Sequence, residues 1–155
     1  MRDETMKRRF AVGMFVLLAA VAAGMSGCSD VGGAGRVPVT GNIKLDGKPL
    51  AGASVTFIGT GSTPSLGGVG ITDQAGNFSV SHFRAGEGLE PGEYKVTVSK
   101  LVLSDGSPIP PGTLSIAELS TREMVPRRYN DFNNTMLQAK VKEGGEPIEL
   151  GLASR

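Results

Sequence analysis

From residue 37 onward the chain alternates apolar and polar positions. Val39, Ile43 and Leu45 occupy one side of a period-two run whose other side carries Thr40, Asn42 and Lys44, the pattern of a strand with one face in a core and one in water. Val55 and Phe57 repeat it within residues 53–58. Residues 69–72 and 78–81 are short apolar runs separated by Asp73-Gln74-Ala75-Gly76-Asn77, which predicts a hairpin. The clearest strand follows Pro91-Gly92, where Tyr94, Val96 and Val98 alternate with Lys95, Thr97 and Ser99. Leu137, Ala139 and Val141, then Gly144-Gly145, then Ile148, Leu150 and Leu152 predict a closing hairpin. Asp46-Gly47-Lys48-Pro49 reads as a turn and residues 59–68 as a loop. Residues 104–134, with Pro108, Pro110, Pro111 and Pro126, read as irregular apart from a short helix over 114–122. Seven or so short strands without a long helix predict an all-β, antiparallel seven-stranded sandwich.

The first 28 residues follow a different pattern. Lys7, Arg8 and Arg9 precede an uncharged run over residues 10–27, most apolar over 10–23. At about 14 strongly apolar residues it is shorter than the roughly 20 of a spanning helix and reads as a secretory signal peptide. Met6 opens a cleaner basic region than Met1, because Asp3 and Glu4 lie between them. The run ends in Met25-Ser26-Gly27-Cys28, which resembles the lipobox of bacterial lipoproteins, with Met where Leu is usual. That resemblance implies acylation of Cys28 and cleavage before it. A single Cys cannot form an internal bridge, and two or three acyl chains anchor stably where one does not. The expected organisation is a signal peptide over 1–27, a lipidated Cys28 with a Gly-rich tether over 28–36, and a sandwich over 37–155. Ser29 replaces the Asp that retains many Gram-negative lipoproteins at the inner membrane. The expected location is therefore the cell envelope, on the periplasmic face or the outer membrane.

Charge narrows the partners. The 155 residues hold sixteen Lys plus Arg and fifteen Asp plus Glu. Cleavage removes Arg2, Lys7, Arg8, Arg9, Asp3 and Glu4, leaving twelve basic and thirteen acidic residues, a charge of −1. Such a chain lacks the field of a nucleic-acid binder. One His and one Cys are too few for a zinc or iron centre, so neither metal nor cofactor is expected. Asp46, Asp73 and Asp131 sit in turns, where Asp bonds its own backbone, and no D-x-D-x-D spacing gathers charge. His82 is expected at the surface or rim of the hairpin. Neither G-x-S-x-G nor G-x-x-x-x-G-K occurs, so no catalytic residue is assigned. Arg127, Arg128 and Tyr129 form a candidate partner contact, against the alternative that Tyr129 packs the loop down beside a solvated arginine pair.

Three motifs then occur in order. They are Val39-Thr40-Gly41-Asn42-Ile43 running into Leu45-Asp46-Gly47-Lys48-Pro49-Leu50-Ala51-Gly52-Ala53-Ser54-Val55, next Thr72-Asp73-Gln74-Ala75-Gly76-Asn77-Phe78, and last Leu89-Glu90-Pro91-Gly92-Glu93-Tyr94-Lys95-Val96-Thr97-Val98. Together they resemble carboxypeptidase regulatory-like domains, the transthyretin-like or prealbumin-like sandwich. The tail, with Val125-Pro126-Arg127-Arg128-Tyr129-Asn130-Asp131 and Glu143-Gly144-Gly145, resembles small planctomycete lipoproteins. The resemblance implies a non-enzymatic, membrane-anchored envelope lipoprotein whose sandwich is a structural or protein-interaction module. The alternative is a carbohydrate-binding or adhesion module, with envelope protein or polysaccharide as partner. The enzymes that share this sandwich use more than one His, and His82 is alone. Cna-B-type modules crosslink a first-strand Lys to a last-strand Asn. Lys44 is expected to face water, and residues 148–152 contain no Asn.

Overall fold

The computed structural model describes residues 35–155 apart from 62, 64, 85, 111 and 114. The expected signal peptide, Cys28 and most of the expected tether lie outside the described residues. Two sheets enclose one core. The first is built on β1 (Thr40–Leu45), flanked on one side by β11 (Ile148–Leu152) and on the other by β2 (Lys48–Pro49) and β5 (Asn77–Ser79). In the second, β10 (Gln138–Val141), β7 (Gly92–Ser99), β3 (Ser54–Gly59), β4 (Gly68–Ile71) and β6 (Ser81–His82) lie in that order. β8 (Leu101–Leu103) and β9 (Thr121–Glu123) pair as a separate ribbon.

Alternation decides which side chains enter the core. Tyr94, Val96 and Val98 of β7 lie against Val55 and Phe57 of β3 and Ile43 of β1, all 0–1% exposed. Phe57 is the hub, with its ring 6.0 Å from Phe78 and 6.2 Å, edge-on, from Tyr94. Turn chemistry sets the register. Asp46 and Gly47 both have positive φ, +50° and +78°, as a two-residue hairpin between Leu45 and Lys48 requires. The buried Thr72 hydroxyl donates to the Leu50 carbonyl at 2.6 Å and accepts the Ala53 N–H at 2.8 Å, tying the β2–β3 loop to the end of β4.

Four expectations change. The sheets are antiparallel except that β11 runs parallel to β1, Gly41 opposite Ile148 through Leu45 opposite Leu152. Consequently Gly144-Gly145 does not close a hairpin, because β10 joins β7 in the second sheet while β11 crosses to the first. Hydrophobic alternation marks the buried face of a strand and leaves its partner undetermined. Strand segments also number eleven rather than seven among the described residues. One cause is that residues 77–82 change sheets at Val80, β5 pairing with β1 and β6 with β4. Finally, residues 114–122 hold only one 3₁₀ turn, Ile116–Glu118, before β9, while a single helical turn, α1 (Arg127–Asn130), follows it.

Candidate functional site

The predicted contact residues are brought together on α1, beside the C-terminus. Arg128 Nη2 donates to the carbonyls of Ala153, at 2.6 Å, and Arg155. Its guanidinium lies 5.0 Å from the centre of the Tyr129 ring. The Tyr129 hydroxyl accepts the Ala153 N–H at 3.3 Å, and Tyr129 packs against the core cluster. The Ala153 N–H and then Arg128 lower the phenol's pKa. Arg127 differs from its neighbour, with a side chain 85% exposed and 3.8 Å from Asp131. Tyr129 thus packs the loop down as one expectation had it, whereas Arg128 is bonded rather than merely solvated.

The turn carboxylates divide in the same way. Asp73 Oδ1 accepts the N–H groups of Ala75 and Asn77, both at 2.8 Å, and these turn bonds lower its pKa, the Asn77 N–H most. Asp131 accepts the Asn133 N–H at 2.8 Å. Asp46 departs from the expectation: it accepts the N–H of Ser154, far along the chain, at 2.9 Å, which lowers its pKa. Among the described residues no three His, Cys, Asp or Glu gather as a cation would need.

The densest polar cluster centres on Glu90, which sequence reasoning did not single out. Arg36 Nε meets Glu90 Oε1 at 3.0 Å and the Ser65 hydroxyl donates to Oε2 at 2.5 Å. His82 Nε2 stands 3.7 Å from Oε2, while His82 Nδ1 accepts the Arg84 N–H at 3.1 Å. In the neutral imidazole the proton is therefore on Nε2, facing the carboxylate. Burial pushes the Glu90 pKa up, but the Ser65 hydroxyl and Arg36 outweigh it and hold the group at about 2. The Tyr94 hydroxyl donates to the Glu90 carbonyl at 2.7 Å. This cluster floors a cleft of about 400 Å³ whose rim includes Thr63, Leu66 and Arg84.

His82 is a correction. It is buried, 7% exposed, rather than at the surface. Val80 and His82 share parity, so the rule that buries one buries the other. The cluster is not wired as a serine nucleophile, because Ser65 gives its hydrogen bond to Glu90 and not to an imidazole that could take its proton. Its effect is to hold the chain before β1. Val37 exchanges backbone hydrogen bonds with Leu89 at 2.9 and 3.0 Å, beside the Arg36–Glu90 pair. Glu123 plays a similar part at the far end of β7, accepting Ser99 Oγ at 2.5 Å and the N–H groups of Lys100 and Val125. Those bonds lower its pKa although burial, the largest single influence, raises it.

A shallow hollow of about 680 Å³ marks the outer face of the first sheet, with Thr40, Asn42, Asn77 and Glu149 around it. Asn42 Nδ2 donates to Asn77 Oδ1 at 2.8 Å, and Asn77 Nδ2 in turn to Asp73 Oδ2 at 3.2 Å.

Fold and polar clusters together define an all-β domain of mainly antiparallel sheets whose polar side chains fasten loops and chain ends. No family model matches the chain, and no curated protein does. Among solved structures it is similar to a 9R-lipoxygenase from Cyanothece PCC8801, at 18% identity and a TM-score of 0.33, over 77% of this chain and 16% of that one. The chain spans a small part of that protein's length, and a likeness this distant defines neither fold nor activity.

Proposed function

We propose that the chain is a lipid-anchored envelope protein without catalytic activity of its own, and that residues 37–155 are a carboxypeptidase regulatory-like, transthyretin-like sandwich acting as a structural or protein-interaction module. One observation carries the reading: the tether that follows Cys28 meets the domain at a part-buried polar cluster, where Arg36 and Val37 are fastened to Glu90 and Leu89. A domain hung from a membrane by its N-terminus needs that junction to hold. The cluster's chemistry agrees with a fastening role, since both Glu90 oxygens and the Ser65 hydroxyl are spent on bonds within the domain.

The second reading, polysaccharide binding, is favoured by the amide-lined hollow around Asn42 and Asn77. It has hydrogen-bonding groups in fixed orientation but no stacking ring at its surface, since Phe78 beneath it is 4% exposed.

Expression of the whole chain in a bacterium, followed by mass analysis of the mature N-terminus, tests the anchor. The expected result is a chain beginning at Cys28 and carrying diacylglyceryl mass, with Cys28→Ser unmodified. An unmodified wild-type chain overturns the reading. Crosslinking of the anchored form against co-sedimentation with envelope polysaccharide separates protein partner from glycan. Saturable glycan binding that Asn42→Ala abolishes would replace the first reading with the second.

A further inference from the structure

Exposed apolar side chains lie at both ends of β7, with Phe132 and the 90%-exposed Met136 beside its middle. At the far end Ile71, Leu101, Ile116 and Met124, 42–64% exposed, surround a groove of about 640 Å³, and nothing in the structure shows what covers it. At the near end, where the tether enters, Leu66 is 56% and Phe83 49% exposed. Their loops are adjacent: the Phe83 N–H donates to the Gly67 carbonyl at 3.2 Å, and Gly68 pairs with His82. Leu66 and Arg84 rim the same cleft that Arg36 enters. Phe83 is carried on a tight loop closed by His82 N–H to the Gly86 carbonyl, 3.0 Å, and by the Ser81–Glu87 bridge. It is therefore presented from a braced position.

We infer that Leu66 and Phe83 form a docking edge that rests on the surface of the bilayer holding the anchor. The inference depends on Cys28 being acylated as proposed above. Six residues lie between Cys28 and Gly35, so the seven steps reach at most about 25 Å when fully extended. An anchored domain on so short a tether keeps its near end beside the headgroups. The far end lies beyond the length of β7, eight residues or about 26 Å further along the strand. Two apolar side chains at that near end transfer from water to the interface while the anchor supplies the proximity. Charge contributes little. Arg36 is paired with Glu90, and the loop bearing Phe83 exposes one cation, Arg84, and one anion, Glu87. Docking therefore does not require anionic lipid.

The chain contains no Trp, so a single introduced Trp reports alone. The acylated full-length variants Phe83→Trp, Leu66→Trp and Met124→Trp would be reconstituted in phosphatidylcholine vesicles with lipids brominated along the acyl chains. The expected result is blue-shifted emission from the Phe83→Trp and Leu66→Trp variants, with quenching about threefold stronger than in Met124→Trp and unchanged when anionic lipid is added. Leu66→Trp stands in if Phe83→Trp misfolds. An acylated chain with equal quenching in all three variants, or strongest quenching in Met124→Trp, overturns the docking edge and leaves the anchor standing. A chain whose mature N-terminus carries no acyl mass overturns both.

Discussion

The first and last described segments of the chain are fastened to the domain by similar bonds in different surroundings. Before β1, Arg36 meets Glu90 with side chains only 14% and 23% exposed, alongside a two-bond backbone bridge. After β11, Arg128, Tyr129 and Asp46 hold Ala153, Ser154 and Arg155 through bonds that are all exposed to water. Partial burial leaves little water to screen the first pair; burial by itself pushes the Glu90 pKa up, and the Ser65 hydroxyl and Arg36 outweigh it to hold the group at about 2. The same kinds of bond at the other end are screened and worth less. If Cys28 anchors the chain, the stronger fastening is at the end that bears the tether's pull.

The largest effect is expected at Gly88. Its φ is +79°, and an added Cβ would stand 2.2 Å from the Val37 carbonyl oxygen, inside the Val37–Leu89 bridge that holds the chain before β1. Gly88→Ala should destabilise the domain by about 3 kcal/mol and lower Tm by about 10 °C. Thermal unfolding checks this, and a change within about 2 °C would mean that the bridge contributes nothing.

Glu90→Gln comes next, at about 2 kcal/mol near pH 7, reduced from the full pKa difference because the side chain still meets water. The sign follows from a folded pKa of about 2 against an ordinary 4.5. The depressed carboxylate stabilises the fold above its ordinary pKa and loses that contribution as pH falls towards 2. Urea unfolding should therefore separate wild type from Glu90→Gln at pH 7 and bring them together near pH 2. A gap that persists at acid pH would assign the loss to packing rather than charge.

The same contrast explains what the sequence disclosed. β1, β7 and β11 were legible because each alternates without interruption, and Gly76 and Asp46-Gly47 because turn geometry restricts residue type. His82 shares parity with Val80, which points it inward, but its place at the end of the hairpin strand reads as a rim, where only the fold shows that the core continues. The Glu90 cluster was hidden, since its partners Arg36 and Ser65 lie 54 and 25 residues away and no spacing rule reaches that far. The same holds for β11, which pairs with a strand at the other end of the chain. Residues 104–134 resisted for another reason. Glu123, through its side chain, caps backbone N–H groups that a strand or helix would otherwise satisfy, and alternation carries no trace of that.

The smallest effects belong to the C-terminal fastening and decide whether α1 is a clamp or a recognition surface. Arg128→Ala should reduce global stability by at most about 1 kcal/mol, while amide exchange at Ala153 and Ser154 rises sharply. For Ser154 the protection, taken relative to the intrinsic exchange rate at each pH, should also fall in wild type once pH drops below the ordinary carboxylate range, because the Ser154 N–H holds the Asp46 pKa down. Arg127→Ala should leave both stability and exchange unchanged within about 0.5 kcal/mol, since its side chain is 85% exposed and its ion pair with Asp131 is a distant 3.8 Å. The two variants thus separate roles that the sequence joined. A partner whose binding weakens on Arg127→Ala, with the Ala153 amide still protected, would make the exposed half of the pair a contact surface. Binding lost only with Arg128→Ala, together with that protection, would show that the ordered C-terminus and not the arginine is what the partner touches.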